Sequence, residues 1–147
     1  AADAAGKLPL HAEWGFPVPT LVGAGRRSEI SALLGDYGAS RPLVVTDPGL
    51  ARLDLFPALL EDLRRSGVSP TAFPGATPNP LDSDVERGAE EYRRAGCDSV
   101  VCLGGGSALD TGKCVAMVAE SGLQLTDCDF WESSPPVPPG GRLAPCL

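Results

Sequence analysis

Short apolar runs alternate with segments of helical periodicity along most of this chain, and this alternation limits its fold more than any other feature. The runs at 43–46, 71–73 and 99–103 are short and largely apolar, as expected of strands that are covered on both faces. Between two of them, Phe56, Leu59, Leu60 and Leu63 recur at helical spacing. Such alternation predicts an open α/β fold, with a parallel sheet covered by helices.

The remaining segments fit the same plan. Pro17 and Pro19 flank the run at 18–22, so we predict an edge strand there, and Ser28 begins a short helix after it. Ser83 and Glu86 have the spacing of a capping box and predict the start of another helix. We expect residues 1–15 to be irregular, residues 133–141 to form a rigid proline-rich loop, and 143–147 to begin a further strand. The domain over 16–147 therefore stops in the middle of its pattern.

Charge and composition exclude several partners. The 12 Lys and Arg residues against 19 Asp and Glu residues leave a net charge of −7, which does not favour nucleic acid. No apolar run approaches the roughly 20 residues that span a bilayer, and no leader resembles a signal peptide. We therefore expect a cytoplasmic protein that has no membrane or nucleic-acid partner.

Cysteine and histidine usage argues against two kinds of site. The five cysteines include no C-x-x-C pair, so neither a structural zinc site nor a disulfide scaffold is expected. Cys102 falls in a strand-like run and Cys114 in a helix-like one, which favours small buried hydrophobes. His11, the one histidine, cannot by itself form a histidine-rich metal site or a catalytic triad.

The strongest functional signal is a triple glycine that joins an apolar strand directly to a helix. Residues 100–103 lead into Gly104, Gly105 and Gly106, and a helix is predicted from 108 to 119. Glycines allow an anion to approach the backbone closely, and free amides at a helix start attract phosphate. Ser107 stands at the expected N-cap position. In open α/β sheets ligands bind beyond the carboxyl ends of the strands, where this turn is expected to lie, so a diphosphate is the expected ligand.

Three residues that follow the glycines, Ser107, Asp110 and Lys113, have competing interpretations. Ser107 and Asp110 have the spacing of a capping box, so both side chains could simply satisfy helix amides. Asp110 and Lys113 could likewise form an ordinary surface ion pair. Alternatively, Lys113 leans toward the helix start and places its ammonium over the mouth of the glycine turn. The residues alone do not decide between these two roles of Lys113.

Three other positions carry weaker signals. Asp47 follows a strand, so it could accept hydrogen bonds from a ribose 2′-hydroxyl and favour NAD over NADP, or it could serve the Asp-Pro-Gly turn. Asn79 lies between two prolines that are expected to hold its backbone extended, although by itself it is an ordinary loop residue. Gly23 and Gly25 form part of a second glycine pattern, which lacks its third glycine and is better explained as a turn.

Taken in order, these motifs resemble the iron-containing (group III) alcohol dehydrogenase family. The resemblance runs from about Phe16 to the last residue and rests on four segments, of which the last is the most specific: Pro19–Gly25, Val45–Asp47, Pro78–Pro80 and Gly104–Lys113. It implies a Rossmann-like N-terminal domain that binds a nicotinamide dinucleotide. In that family a helical C-terminal domain holds a divalent metal, usually iron, through one aspartate and three histidines, and the resemblance implies that residues 16–147 do not include it.

The resemblance also implies roles for individual residues. Gly105, Gly106 and Ser107 would hold the diphosphate, Asp47 would meet the adenosine ribose, and Asn79 would line the cofactor cleft. Asp110 and Lys113 would face the nicotinamide half. His11 matches none of the family's metal ligands.

The expected function is therefore the cofactor-binding part of an NAD-linked, iron-dependent alcohol dehydrogenase. The full-length enzyme would act on a small alcohol or aldehyde and form a homo-oligomer, whereas this piece alone would be inactive. Two alternatives remain open. One is a non-catalytic nucleotide- or phosphate-binding module, and the other is an enzyme of the glycerol dehydrogenase or dehydroquinate synthase type.

Overall fold

The computed structural model describes residues 12–14, 20–128 and 143–147 of the 147-residue chain. Short 3-10 helices at Arg26–Glu29, Leu50–Arg52 and Leu125–Cys128 accompany the main elements. The strands and α-helices, in chain order, are β1 (Ala12–Trp14), β2 (Thr20–Val22), α1 (Ile30–Asp36), β3 (Pro42–Val45), α2 (Leu55–Arg65), β4 (Thr71–Phe73), α3 (Asp82–Ala95), β5 (Ser99–Cys102) and α4 (Gly106–Ser121).

The central sheet is parallel, which confirms the predicted α/β fold. Its strand order is β4-β3-β5, and Leu43 of β3 pairs with Thr71 on one side and Val100 on the other. The segment at 145–147 runs along the free side of β5. There Val100 N–H donates to the Pro145 carbonyl at 2.8 Å, and Val100 and Cys146 form a parallel bridge. The expected strand at the end of the chain is thus present as a single bridge.

Helices cover both faces of this sheet. The β3 side chains alternate between two hydrophobic cores, so that Leu43 and Val45 pack with α3 and α4, while Val44 packs with α1 and α2. The predicted stripe of α2 is buried in full. Strands covered on both faces need apolar side chains at every position, which explains the continuous apolar runs in the sequence.

The start of α3 differs from the prediction. The helix begins at Asp82, and the capping carboxylate belongs to Asp84, which accepts a hydrogen bond from the Leu81 N–H at 3.3 Å. Ser83 is exposed and does not cap the helix. Asp84 takes this role because it also binds Thr77 from the preceding loop, a contact that local sequence spacing does not reveal.

Strands β1 and β2 form a two-stranded sheet apart from the central sheet. β1 and β2 pair antiparallel, with Glu13 opposite Leu21. The strand within 18–22 is confirmed, but the expectation of an irregular segment was wrong at 12–14, because cross-strand pairing orders a stretch too short to show a pattern. The loop expected at 133–141 and His11 lie outside the described residues. Over the part that is described, no helix is both long and apolar enough to cross a membrane.

Candidate functional site

The carboxyl ends of the three central strands meet at Thr46, a residue that sequence reasoning treated only as part of a strand. Thr46 is fully buried, and its Oγ1 donates to the Leu103 carbonyl at 2.7 Å. Its N–H donates to the Phe73 carbonyl at 3.0 Å, and its own carbonyl accepts from Ala76 at 3.2 Å. Thr46 thus fixes the glycine turn after β5 relative to the loop after β4. A hydroxyl at the end of a buried apolar strand is the signal that could have identified it.

The three glycines of the turn are not equivalent. Gly104 has φ +152°, and a Cβ there would lie 2.8 Å from the Ala108 Cβ, so the fold itself requires glycine at this position. Gly105 and Gly106 are exposed, and a Cβ on either would meet no atom within 4 Å. Packing within the chain does not demand glycine at these two positions, and the backbone there is open to an approaching group.

Helix α4 starts at this open backbone without a side-chain cap. Its N-cap is Gly105, and no side chain bonds the first-turn amides. In a 16-residue helix such amides have no intrahelical acceptor, and the aligned peptide dipoles place partial positive charge there. This end of α4 has the donors and the charge that suit an anion such as a phosphate.

The prediction that Ser107 caps α4 was therefore wrong by two positions. Ser107 is the second residue of the helix, and its carbonyl accepts a hydrogen bond from the Thr111 hydroxyl at 2.8 Å. Helix geometry extends back to Gly106 because Gly105 adopts the extended cap conformation, with φ −84° and ψ −169°. The capping-box alternative for Ser107 and Asp110 is also excluded, since neither side chain caps the helix.

Asp47 lies at the end of β3, beside the glycine turn. Its Oδ1 accepts hydrogen bonds from the N–H groups of Gly49 and Leu50, both at 2.9 Å, which confirms the interpretation as a turn residue. Its Oδ2 lies on the side of the turn, 3.5 Å from the position that a Cβ on Gly104 would occupy. One carboxylate oxygen is thus bonded within the Asp-Pro-Gly turn, and the other lies beside Gly104.

Asp110 and Lys113 form the surface ion pair that was one of the two interpretations. Lys113 Nζ lies 3.6 Å from Asp110 Oδ1, and the two side chains are 64% and 68% exposed. An exposed pair at this spacing contributes only a few tenths of a kcal/mol. Both residues stay available to a ligand that approaches the first two turns of α4.

Asn79 is exposed and does not have the expected backbone. Its φ is +53° rather than that of an extended residue. The flanking prolines favour extended backbone, but asparagine tolerates the left-handed region better than most residues, and the turn between β4 and α3 uses that tolerance. The amide of Asn79 is therefore displayed from a bend in this loop.

Asp84, which sequence reasoning missed, holds this loop in place. Its carboxylate is 2% exposed and accepts hydrogen bonds from the Thr77 hydroxyl at 2.5 Å and from an Arg87 guanidinium N–H at 2.6 Å. The hydrogen bond from Thr77 is the main cause that lowers the pKa of Asp84, while burial opposes it. Arg87 also donates to the Gly75 carbonyl at 3.3 Å. Asp84 thus fastens the Asn79 loop to the start of α3.

The second glycine pattern forms a turn. Gly25 has φ +78° and accepts a hydrogen bond from Ser28 N–H at 3.1 Å, which confirms the interpretation as a turn. In the described ranges, no group of three or more His, Cys, Asp or Glu side chains is placed to hold a metal ion. The donors present there do not fit a metal centre.

Comparisons with known proteins agree with this architecture. The sequence profile described as "Iron-containing alcohol dehydrogenase" matches residues 17–143. The chain is 33% identical over 112 residues to the NAD-dependent methanol dehydrogenase of Bacillus methanolicus, covering 76% of this chain and 29% of that protein. It is 38% identical over 84 residues to the 1,3-propanediol dehydrogenase of Citrobacter freundii, covering 56% and 22%.

A solved structure shows the same relationship in three dimensions. The sulfoacetaldehyde reductase of Bifidobacterium kashiwanohense, in complex with NAD+, superposes with a TM-score of 0.73 at 27% identity, covering 84% of this chain and 31% of that one. The chain spans less than a third of the length of these relatives. The profile match over most of the sequence shows that the chain belongs to the iron-containing alcohol dehydrogenase family.

Proposed function

We propose that this chain supplies the NAD-binding site of an alcohol dehydrogenase. The observation that carries the proposal is the uncapped start of α4, where Gly105 and Gly106 leave the backbone open although packing among the described residues does not require glycine there. A diphosphate needs both features, namely free amides aligned with a helix dipole and no side chain in the way.

The surrounding residues suit the rest of a dinucleotide. The amides of Gly105, Gly106 and Ser107 would bind the diphosphate. Asp47 would bind the adenosine ribose through Oδ2, since Oδ1 is already used by its own turn. A carboxylate at this position accepts from a 2′-hydroxyl and repels a 2′-phosphate, which favours NAD over NADP. Asn79 would line the cleft.

Asp110 and Lys113 would lie toward the nicotinamide half. The two residues follow the diphosphate site along α4, by one turn and nearly two turns respectively, and both are exposed. Their opposite charges balance each other, so together they add little net charge beside the anionic diphosphate. Their contribution would be to position the cofactor rather than to attract it.

The reaction proposed for the intact enzyme is hydride transfer between an alcohol and the nicotinamide ring, for which bound NAD+ supplies the hydride acceptor. The residues described here bind and orient the cofactor. They provide no donor set for a metal, so activation of the alcohol is not assigned to them. Relatives are named for methanol and 1,3-propanediol, and we extend to this protein only their class, a small alcohol or its aldehyde.

The binding site can be tested by a single methyl group. Gly105 has a φ of −84° that any residue adopts, and a Cβ there would meet no atom of the described residues within 4 Å. Gly105→Ala should therefore fold normally yet place its methyl against the diphosphate. We expect NAD+ affinity, measured by calorimetry on the intact protein, to fall by about tenfold or more, which corresponds to about 1.4 kcal/mol.

Gly35→Ala in α1 is the matched control. Among the described residues, a Cβ at Gly35 also meets nothing within 4 Å. Helix α1 packs in the core on the face of the sheet opposite α4, so NAD+ affinity should stay unchanged. Equal affinity of the wild type and Gly105→Ala would place the diphosphate elsewhere. NAD+ binding without turnover of any alcohol by the iron-loaded intact protein would instead favour a non-catalytic nucleotide-binding module.

Further proposals concern the protein as a whole. We expect the 147-residue chain alone to show no dehydrogenase activity, because the described part holds no set of metal donors. We also propose a cytoplasmic location and a homo-oligomeric full-length enzyme. Turnover by the isolated chain with ferrous iron, NAD+ and a panel of primary and secondary alcohols would contradict the expected inactivity.

A further inference from the structure

Two cysteines lie side by side at the edge of the central sheet. Cys102 ends β5, and Cys146 lies in the segment that runs parallel to that strand. The bridge between Val100 and Cys146 places residues 100, 102 and 146 on the same face, because side chains alternate along a strand. As a result the two Sγ atoms are 3.7 Å apart.

We propose that Cys102 and Cys146 are a redox-active thiol pair, which a peroxide converts reversibly into a disulfide. The proposal rests on the contact between the two sulfurs and on their different exposure. Cys146 is exposed and Cys102 is half-buried. An oxidant can therefore reach Cys146 first, and Cys102 lies beside it as the second thiol.

The greater exposure of Cys146 assigns the two roles, and the direction of the pKa shifts agrees with it. The hydrogen bond between the two thiols lowers the pKa of Cys146, burial opposes this effect, and the positive charge of Lys113 adds to it. The same hydrogen bond, together with burial, raises the pKa of Cys102. Since the thiolate is the nucleophile, Cys146 is the attacking residue and Cys102 the resolving one.

The reaction balances with a peroxide as the two-electron oxidant. The Cys146 thiolate attacks one peroxide oxygen, the O–O bond breaks, and the products are a sulfenic acid and an alcohol or water. The Cys102 sulfur, on losing its proton, then attacks the Cys146 sulfur, forms the S–S bond and releases water. In total, two thiols and one peroxide give one disulfide, one alcohol or water, and one water.

Formation of the disulfide requires a short movement, which the neighbouring helix limits in one direction. An S–S bond of about 2.05 Å requires the sulfurs to approach by about 1.6 Å. Cys102 cannot move toward α4, because Gly112 packs so closely over its Sγ that even a Cβ at Gly112 would lie 2.2 Å away. The two sulfurs therefore approach each other without a shift of Cys102 toward α4, and the disulfide ties the segment at 145–147 covalently to β5.

Peptide mapping of the intact protein tests the proposal. The reduced protein is treated with a small excess of hydrogen peroxide, free thiols are blocked by alkylation, and the protein is digested with trypsin and with a protease that cleaves before aspartate. The second cut separates Cys97 from Cys102, because Asp98 follows Cys97 directly. We expect the major disulfide-linked species to join the Cys102 peptide to the Cys146 peptide and to disappear on reduction with dithiothreitol.

Variants provide the controls. Cys102→Ser and Cys146→Ser should each abolish the linked species, and Cys146→Ser should also leave Cys102 free to alkylation. Cys114→Ser, which changes another half-buried cysteine, should leave the linked species unchanged. The proposal fails if peroxide leaves both thiols free, if Cys146 goes to sulfinic or sulfonic acid without any linked species, or if the major disulfide joins other cysteines. Since the mapping uses the wild-type protein, a poorly folded variant does not obstruct the test.

Discussion

Gly112 is the point of closest contact between α4 and the sheet, and its replacement by alanine is expected to destabilise the protein. A Cβ at Gly112 would lie 2.2 Å from Cys102 Sγ, well inside van der Waals contact. It would lie 3.5 Å from both Cys102 Cβ and Val100 Cγ1, which is an ordinary contact distance. A single atom, the Cys102 sulfur, thus accounts for the clash.

Two effects of opposite sign determine the size of the change. Replacing glycine by alanine inside a helix stabilises it by about 0.8–1.0 kcal/mol, whereas forcing an extra carbon into a packed core costs about 1–3 kcal/mol. We expect the packing cost to lie near the upper end of this range, because α4 would have to move away from β5 or Cys102 would have to change rotamer. We expect Gly112→Ala to lower the free energy of unfolding by about 1–2 kcal/mol.

A double-mutant cycle isolates the contribution of the Cys102 sulfur to this destabilisation. Cys102→Ala removes Sγ and leaves only the ordinary contacts, so adding Gly112→Ala to that variant should stabilise the protein by up to about 1 kcal/mol through helix propensity. Urea unfolding followed by circular dichroism measures all four forms, with Gly35→Ala as an unclashed glycine-to-alanine control. Additive effects in the cycle, or stabilisation by Gly112→Ala alone, would refute the packing argument.

Three further predictions concern single polar groups. The pKa of Asp84 in the folded protein lies below its ordinary value of 3.8, so its contribution to the free energy of unfolding is complete above that value and is lost as the pH falls through the lowered pKa. Asp84→Asn should therefore flatten the acid side of a curve of stability against pH, and an unchanged curve would contradict this role. Tyr92 is 2% exposed and donates a hydrogen bond to Glu120, so Tyr92→Phe should lower the free energy of unfolding in urea by about 1 kcal/mol. Tyr37 is exposed, and Tyr37→Phe should cause no measurable change; equal effects of the two variants would count against the hydrogen bond. Asp47→Gly should raise NADP+ affinity relative to NAD+ in fluorescence titrations, and an unchanged ratio would remove Asp47 from the ribose site.

The sequence predicted those elements of the fold whose residue pattern has a single physical cause. Strands covered on both faces must be apolar throughout, so the runs at 43–46 and 99–103 could be placed, and the stripe from Phe56 to Leu63 marked the buried side of α2. Three residues of β1 carry no such pattern, because their order comes from pairing with β2. A short strand that depends on its partner is not visible in its own residues.

The candidate site was predicted only as far as local spacing allows. The glycine turn and Asp47 were found because each directly follows an apolar strand. The cap at Ser107 was misplaced, since three consecutive glycines offer several positions at which a helix can begin. Thr46 and Asp84 were missed because they act through contacts with residues that are distant in sequence or in another element. Left-handed Asn79 shows that a turn can override the local preference imposed by proline.

The most direct test of the account is a crystal structure of the intact protein with bound NAD+. We predict that the diphosphate oxygens accept hydrogen bonds from the backbone amides of Gly105, Gly106 and Ser107 at the start of α4. A dinucleotide whose diphosphate lies away from that helix end, with those amides facing only water, would contradict the central claim.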